Sequence, residues 1–321
     1  MICTSLFSDA IASEKPKLDP ELLKSFQALN CHPMRLPMFI GLYAIALLIT
    51  IPLAAMVPGP WHYLLCFPGY LLAAASLHGI SLFTHEGVHG VLSRNAHWNR
   101  ALGIACALPV LQNFSAYKVL HLEHHNNLGL DGDPDHYKNY TRWSWLVSAM
   151  HWARLLIGYP VYITAIPILG FRAAAAGEKL WVIFEVLLLG ILGTAIVWSP
   201  IPSDVLIHGW LIPMILINTM VNIRGMSQHT LLEHEADLIR GTRTILTNPI
   251  TRFFMCNENY HLEHHLYPSV PWYHLPKVHD ALKDELIERG APFIPSYTAF
   301  VQEFVLASLR RSSHGSVVIN R

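Results

Sequence analysis

The chain has 321 residues, 52% of them hydrophobic and only 14% charged, whereas a soluble domain carries about 25% charged residues; such a chain is solvated largely by lipid. Its 22 basic and 22 acidic residues cancel, which removes the electrostatic case for a nucleic-acid partner. The five cysteines (Cys3, Cys31, Cys66, Cys106, Cys256) form no Cys-x-x-Cys pair, so neither a disulfide framework nor a cysteine metal site is expected. Histidine stands out, with 20 residues in clusters.

Residues 1–35 mix Asp9, Glu14, Asp19 and Glu21 with Lys15, Lys17, Lys24 and Arg35, without the apolar core of a secretory signal. They read as a cytoplasmic lead-in with a short helix from Asp19 or Pro20. Two long windows then lack any Lys or Arg, Leu36 to Ser93 and Leu180 to Ile223. Each has room for two spans of roughly 20 residues and a break near its middle. Val57–Trp61 separates Met38–Met56 from Tyr63–Phe83, and Ser199–Asp204 separates Leu180–Trp198 from Val205–Val221. The expectation is four transmembrane helices in two hairpins.

All 22 basic residues lie outside these windows. A basic side chain at mid-membrane costs about 2.5–3.5 kcal/mol on insertion scales, and basic residues favour cytoplasmic segments. Both hairpin turns are therefore expected on the non-cytoplasmic side, with both termini and the central stretch cytoplasmic. Trp143–Gly170 is apolar but contains Arg154, Pro160 and Pro167; it reads as an interfacial or re-entrant piece, as does Leu102–Val119. Glu185 sits mid-span, where an acid is costly.

The histidines follow three boxes. His85-Glu86-Gly87-Val88-His89 lies at the cytoplasmic end of the second span, and residues four apart share a helix face. His121-Leu122-Glu123-His124-His125 puts histidines at i, i+3 and i+4, its adjacent pair diverging enough to serve two ions. His261-Leu262-Glu263-His264-His265 repeats that grammar. His229 follows Arg224 and Gln228 at the end of the fourth span, with His234 its rival. Nine histidines then converge on one side: His85, His89, His121, His124, His125, His229, His261, His264 and His265. Imidazole suits Fe, Zn, Cu and Ni, and two ions with four or five ligands each fit the count. His62, His78, His97, His136, His151, His208, His274 and His279 read as packing or surface residues.

Partners for the ligands' second ring nitrogens are sought among Glu86, Glu123, Glu263, Asp133, Asp135, Asn257, Glu258 and Asn259. Two other classes compete. HEGVH satisfies the zinc-protease pattern H-E-x-x-H, with Glu86 as base and Asp133 or Asp135 as a further ligand, but it leaves seven patterned histidines unexplained. A metal transporter would hold its site near mid-membrane, whereas these boxes lie at the ends of spans.

The three boxes, in this order over Met38 to Glu285, resemble the membrane fatty-acid desaturase and hydroxylase family. Asn248–His279, which contains the third box, is the most specific stretch. Gly132-Asp133-Pro134-Asp135-His136 is similar to the carotenoid ketolases. The resemblance implies an all-α integral membrane enzyme with two iron ions and a cytoplasmic histidine cap flanked by interfacial helices. His85, His89, His121, His125 and His264 would hold one iron; His124, His229, His261 and His265 would hold the other. Where the family's acyl desaturases often carry Asn one turn before the residue matching His229, this chain has Gly225; Asn222 is the nearest substitute. With no His-Pro-Gly-Gly haem motif, electrons would come from a separate ferredoxin or cytochrome b5 type protein with its reductase.

The reaction implied is O2-dependent desaturation of an acyl or lipid-like chain, with hydroxylase or ketolase action as the alternative; Glu185 would line the acyl channel or make an interhelical hydrogen bond. The expected organisation is a cytoplasmic segment 1–35, a membrane domain 36–285 and a cytoplasmic tail 286–321.

Overall fold

The computed structural model describes residues 14–29, 34–232 and 235–313. Cys3, Cys31 and His234 lie outside them. The fold is helical: α1 (Pro20–Gln27), α2 (Arg35–Met56), α3 (Trp61–Val88), α4 (Ala96–Ala107), α5 (Phe114–Asn127), α6 (Ser144–Ala173), α7 (Ala176–Val197), α8 (Ser203–His229), α9 (Pro249–Phe254), α10 (His261–Leu266), α11 (Leu275–Glu288) and α12 (Tyr297–Ser313). One small parallel ladder pairs β1 (Thr244–Ile245) with β2 (Phe293–Ile294), Thr244 opposite Phe293.

Five helices, α2, α3, α6, α7 and α8, are long and apolar enough to cross a membrane. In α6 and α7 only 11% of the most apolar stretch is buried within the protein; side chains such as Leu187, Ile191 and Val197 point outward. An apolar surface this extensive needs lipid around it, so this is a membrane protein.

Each charge-free window holds two helices; α2 and α3 pack as the expected pair, whereas α7 packs on α5 and α6 and α8 packs on α3 and α6. Val57–Trp61 turns α2 into α3, with Gly59 at φ 70°, a conformation that costs glycine little. The pair closes tightly at Gly79, where a Cβ would stand 2.5 Å from the Phe39 ring. Phe39, Leu77, Leu82 and Ile217 form a core between α2, α3 and α8. The α3 helix continues past Phe83, so that His85 lies within its last turn and His89 caps it. The stretch Leu102–Val119 divides between the end of α4, a 3-10 turn at Leu108–Val110 and the start of α5.

Over Trp143–Gly170, which reads from the sequence as interfacial or re-entrant, the structure has two helical pieces joined across a kink at Ile157, together making α6. Pro160 has no N–H and crowds the carbonyl of Leu156. The disturbed backbone groups are satisfied from α8: Asn218 Nδ2 donates to Leu156 O (3.0 Å) and Asn218 Oδ1 accepts from Tyr159 N (2.9 Å). Both ends of α6 adjoin the histidine-bearing parts. At its start His151 faces Tyr137 and Trp152 packs on Phe304. At its end Gly170 lies against Ala116 of α5, and Glu178, at the start of α7, pairs with Lys118 and Arg100.

Glu185 is a helix cap: its carboxylate accepts from Ser115 N (3.1 Å) and Ser115 Oγ (2.6 Å). A carboxylate there satisfies otherwise unpaired N–H groups and opposes the helix dipole, which fixes α5 against α7. The boundary expected at residue 285 falls inside α11, and the segment beyond it joins the fold: β2 pairs with β1, and Phe300 and Phe304 pack on Met226. The N-terminal segment docks as well, with Tyr267 OH donating to Pro16 O and accepting from Leu18 N.

Candidate metal centre

Four elements deliver the nine histidines. The end of α3 brings His85 and His89, the C-terminal half of α5 brings His121, His124 and His125, the end of α8 brings His229, and α10 brings His261, His264 and His265. Asn99 holds the first corner, donating to Gly87 O (2.7 Å) and accepting from Leu92 N (3.0 Å). Asn113 starts α5, accepting from Ala116 N (2.9 Å) and donating to Val182 O (3.0 Å).

The ring nitrogens fall into two sets. In the first, His121 Nε2 lies 3.1 Å from His89 Nε2 and 3.0 Å from His125 Nε2, and His125 Nε2 lies 3.3 Å from His264 Nε2; His85 belongs to the same group. In the second, His229 Nε2 lies 3.3 Å from His124 Nε2 and 3.2 Å from His261 Nε2, and His261 Nε2 lies 3.0 Å from His265 Nε2.

The donor chemistry fits a cation in each set. His229 Nδ1 faces the carbonyl of Gly241 at 2.9 Å. A carbonyl only accepts, so the proton sits on Nδ1 and Nε2 is a bare lone pair. That lone pair points at two more Nε2 atoms. Such an arrangement is repulsive unless a cation sits among the nitrogens. Imidazole nitrogens about 2.1 Å from a metal stand about 3.0 Å apart in right-angled and about 3.4 Å apart in tetrahedral coordination; the observed spacings lie in this interval. His85 Nε2 is buried without a partner, which burial does not tolerate cheaply.

Burial also prepares the imidazoles outside the spans as neutral donors. It holds His89 down at about 3 and His125 at about 2, the latter helped by the neighbouring His89. It holds His121, His261, His264 and His265 well below the usual histidine range, with neighbouring imidazoles adding to the effect. His124 differs. Burial opposes its charge, but the hydrogen bond to Asp133 and the charges of Asp135 and Asp133 prevail and raise it.

The outer partners follow the sequence reading in part. Asp133 Oδ1 lies 2.8 Å from His124 Nδ1, while Gly129 N donates to its other oxygen at 2.8 Å. Glu258 spans both sets, with Oε1 3.2 Å from His85 Nδ1 and Oε2 3.5 Å from His261 Nδ1. Burial pushes its carboxyl up to about 7 against the opposing pull of Arg224, whose Nη1 lies 3.4 Å away. Glu86 accepts from Trp272 N at 3.0 Å, joining box one to the segment after box three.

Three candidates do other work. Asp135 is exposed; its backbone N–H donates to Asp133 Oδ1 (2.9 Å), and its carboxylate reaches His124 through its charge alone. Asn222 donates to Asn218 O (2.7 Å), a bond along α8. Asn259 donates to Ile245 O (2.9 Å), latching box three to β1. Short amide side chains find backbone carbonyls nearby, and that competes with any reach toward an imidazole. Asn257 likewise donates to Trp272 O, and Glu123 is half-exposed. Sequence reasoning missed Gly241, because a backbone carbonyl leaves no residue signature. It also missed His279, whose Nδ1 lies 2.5 Å from Glu263 Oε1.

A cavity of about 460 Å³ adjoins both sets, walled by His85, His121, His124, His229 and His261 together with residues of α6 and the Gly129–Tyr140 loop.

Fold and site together define a helical membrane protein with a buried cluster of metal-type histidines facing a cavity. A sequence model of the family described as Fatty acid desaturase matches residues 58–297, and the chain belongs to that family, one of oxidoreductases. It is 27% identical to sphingolipid delta(4)-desaturase DES1 of Xenopus tropicalis, over 68% of this chain and 65% of that protein. It is 26% identical to dihydrorhizobitoxine desaturase of Bradyrhizobium elkanii, over 72% and 71%. It is also 26% identical to sphingolipid delta(4)-desaturase/C4-monooxygenase DES2 of Mus musculus, over 68% and 65%. The chain thus spans just under two thirds of the length of the two sphingolipid relatives.

Proposed function

We propose that the nine histidines hold two iron ions and that the protein is an O2-dependent membrane desaturase, removing two hydrogens from an unactivated C–C bond of an acyl or lipid-like chain. The observation that carries this reading is the division of the ring nitrogens into two sets at 3.0–3.3 Å spacing. The three further imidazoles gathered on box one (His121, His125 and His264) and the engagement of Asp133 by His124 argue against a zinc protease, which needs two histidines and one further ligand.

The bound irons would supply O2-dependent attack on an unactivated C–H bond, chemistry beyond any side-chain acid or base. The chain's part is positioning. Glu185 and Asn113 set the axis of α5, and with it box two. Gly241 O and Asp133 orient His229 and His124, and Glu258 faces His85 and His261 at once. The buried imidazoles stay neutral and ready to bind. Apolar helices exclude water, and the cavity brings substrate against histidines of both sets.

Four spans, α2, α3, α7 and α8, with the histidines and both termini on the cytoplasmic side, follow from the same reading. Supporting it, α6 meets the histidine-bearing helices on both sides of its kink, α8 at Arg154 and Gly225 and α5 at Gly170 and Ala116, as a helix that enters and returns would. The charge-free windows support the orientation. Reducing equivalents would come from a separate ferredoxin or cytochrome b5 type protein.

Metal analysis of purified protein tests the centre: about two irons per chain is expected, and one zinc would refute it. Mass spectrometry of host lipids and small metabolites, with and without the chain, tests the reaction. Loss of two hydrogens is expected. Gain of one oxygen would favour the second reading, a hydroxylase, supported by a relative whose name joins both activities.

A further inference from the structure

The cavity beside the histidines carries an arginine that the proposed metal chemistry does not use. Arg154 projects from α6 just before the kink and lines the cavity with Tyr137, its polar partner. Gly225 makes room for it: a Cβ there would stand 2.5 Å from Arg154 Nη2. Among the described residues, the arginines with a carboxylate oxygen within 4 Å are Arg100, Arg224, Arg243 and Arg289; Arg154 is not one of them. An arginine within an apolar helix, facing a cavity, is functional by default; Tyr137 takes one of its hydrogen bonds and Asp135 acts on it through its charge, but with no carboxylate oxygen of the described residues within 4 Å its fork keeps donors for a ligand.

The rest of the cavity wall says what kind of ligand. From Arg154 to Leu169, α6 lines the cavity over 16 residues, about 22 Å measured along the kinked helix. Beyond the kink this wall is mostly apolar, including Val161, Ala165, Ile166 and Leu169. A charged end followed by an apolar run matches an elongated molecule with an anionic head and a hydrocarbon tail. Gly225 lies four residues, or about 6 Å along α8, from His229, so the head would sit about one helical turn from the second histidine set.

We propose that Arg154 is a specificity-determining residue that seats the carboxylate of a free, carboxylate-bearing amphiphile, so that the carbons presented to the histidines lie only a few bonds from that carboxylate. The reaction part of this inference rests on the desaturase reading; the binding part does not. The closing experiment therefore measures binding and metal content separately.

The full chain in lipid nanodiscs is titrated with octanoate, 1-octanol and octylamine by calorimetry, with empty nanodiscs correcting for partition into lipid. Octanoate should bind about tenfold more tightly than either neutral or cationic analogue, the increment expected of a charge-assisted bond. Arg154→Gln should erase that preference and leave 1-octanol binding unchanged. Gly225→Ala keeps the charge but displaces the guanidinium, and it should weaken octanoate several-fold; it decides the matter if Arg154→Gln does not fold. Equal binding of the three probes by the native chain, or an octanoate preference that survives Arg154→Gln, would overturn the proposal. Iron content is measured on the same samples. An octanoate preference in protein that binds no iron would refute the di-iron reading alone.

Discussion

Boxes two and three are the same five residues, His-Leu-Glu-His-His, and the fold uses them in opposite senses. Box two gives its first and last histidines, His121 and His125, to the first set and its middle one, His124, to the second. Box three gives His261 and His265 to the second set and His264 to the first. The last residues meet face to face, the His125 and His265 rings stacking at 4.0 Å and 7°. On a helix, i+3 and i+4 both flank the face of i, but i+3 is turned about 60° to one side and i+4 about 40° to the other, so two such helices brought face to face distribute six imidazoles between two ions. A repeated motif can therefore build a pair of sites where a lone copy would build one and a fragment of another.

Loss of the turned-aside histidine should break this exchange most severely. His264→Ala removes a nitrogen from the first set, and His124→Ala removes one from the second. Each should abolish O2-dependent turnover and lower iron from about two per chain toward one. Retained turnover in His264→Ala would refute the assignment. Equal loss of both irons from each variant would mean that the sets do not fill independently.

The boxes also differ in what steadies them. His124 leans on Asp133, whereas His264 Nδ1 has no hydrogen-bond partner among the described residues. Removing such an outer carboxylate typically costs about 10–100-fold in metal affinity, so Asp133→Asn should weaken the second site by that order and spare the first. Acid should separate the sites too. Asp133 and Asp135 raise His124, while burial lowers the first-set imidazoles outside the spans. As pH falls His124 takes a proton before they do, and a protonated imidazole cannot bind metal. Iron titrations at stepped pH should find the second site failing first. Asp133→Asn should move its acid limb to lower pH, since burial then acts on His124 with less opposition.

These contrasts mark what was legible in the sequence. The two apolar helices in each of Leu36–Ser93 and Leu180–Ile223 were readable because solvation by lipid excludes Lys and Arg from a long run; that α7 packs on α5 and α6 rather than on α8 was not. The interruption of Trp143–Gly170 was readable from its prolines, and the helix is kinked at Ile157; its repair was not, because Asn218, which satisfies the disturbed backbone, lies on another helix. Gathering of the nine histidines was readable from helical spacing. Their outer partners were readable only where a carboxylate had few other options, as with Asp133 and Glu258. Asn222 and Asn259 had backbone carbonyls closer to hand, and His279 was read as a bystander because nothing local ties it to Glu263.

Glu263 provides the finest test of how two identical boxes come to differ. It is fully buried, accepting from Thr244 Oγ1 (2.5 Å) and facing His279 Nδ1 (2.5 Å). Its counterpart Glu123 is half-exposed, and its recorded bond is from Asn127 Nδ2 to its backbone carbonyl (2.9 Å). Box three sits on a six-residue helix, too short to hold its own geometry, so tertiary bonds must fix it. Box two sits within a 14-residue helix already capped by Asn113 and Glu185. Glu263→Gln keeps the shape but leaves one buried donor poorly matched, a loss of about 1–3 kcal/mol, and it should lower the melting temperature of metal-free protein. Glu123→Gln should stay within about 0.5 kcal/mol of the native chain. Equal effects would mean that box three is held by its imidazoles and not by the Thr244–Glu263–His279 chain. Metal loading would then be expected to stabilise box three far more than box two, which hydrogen exchange at α10 and α5 can read directly.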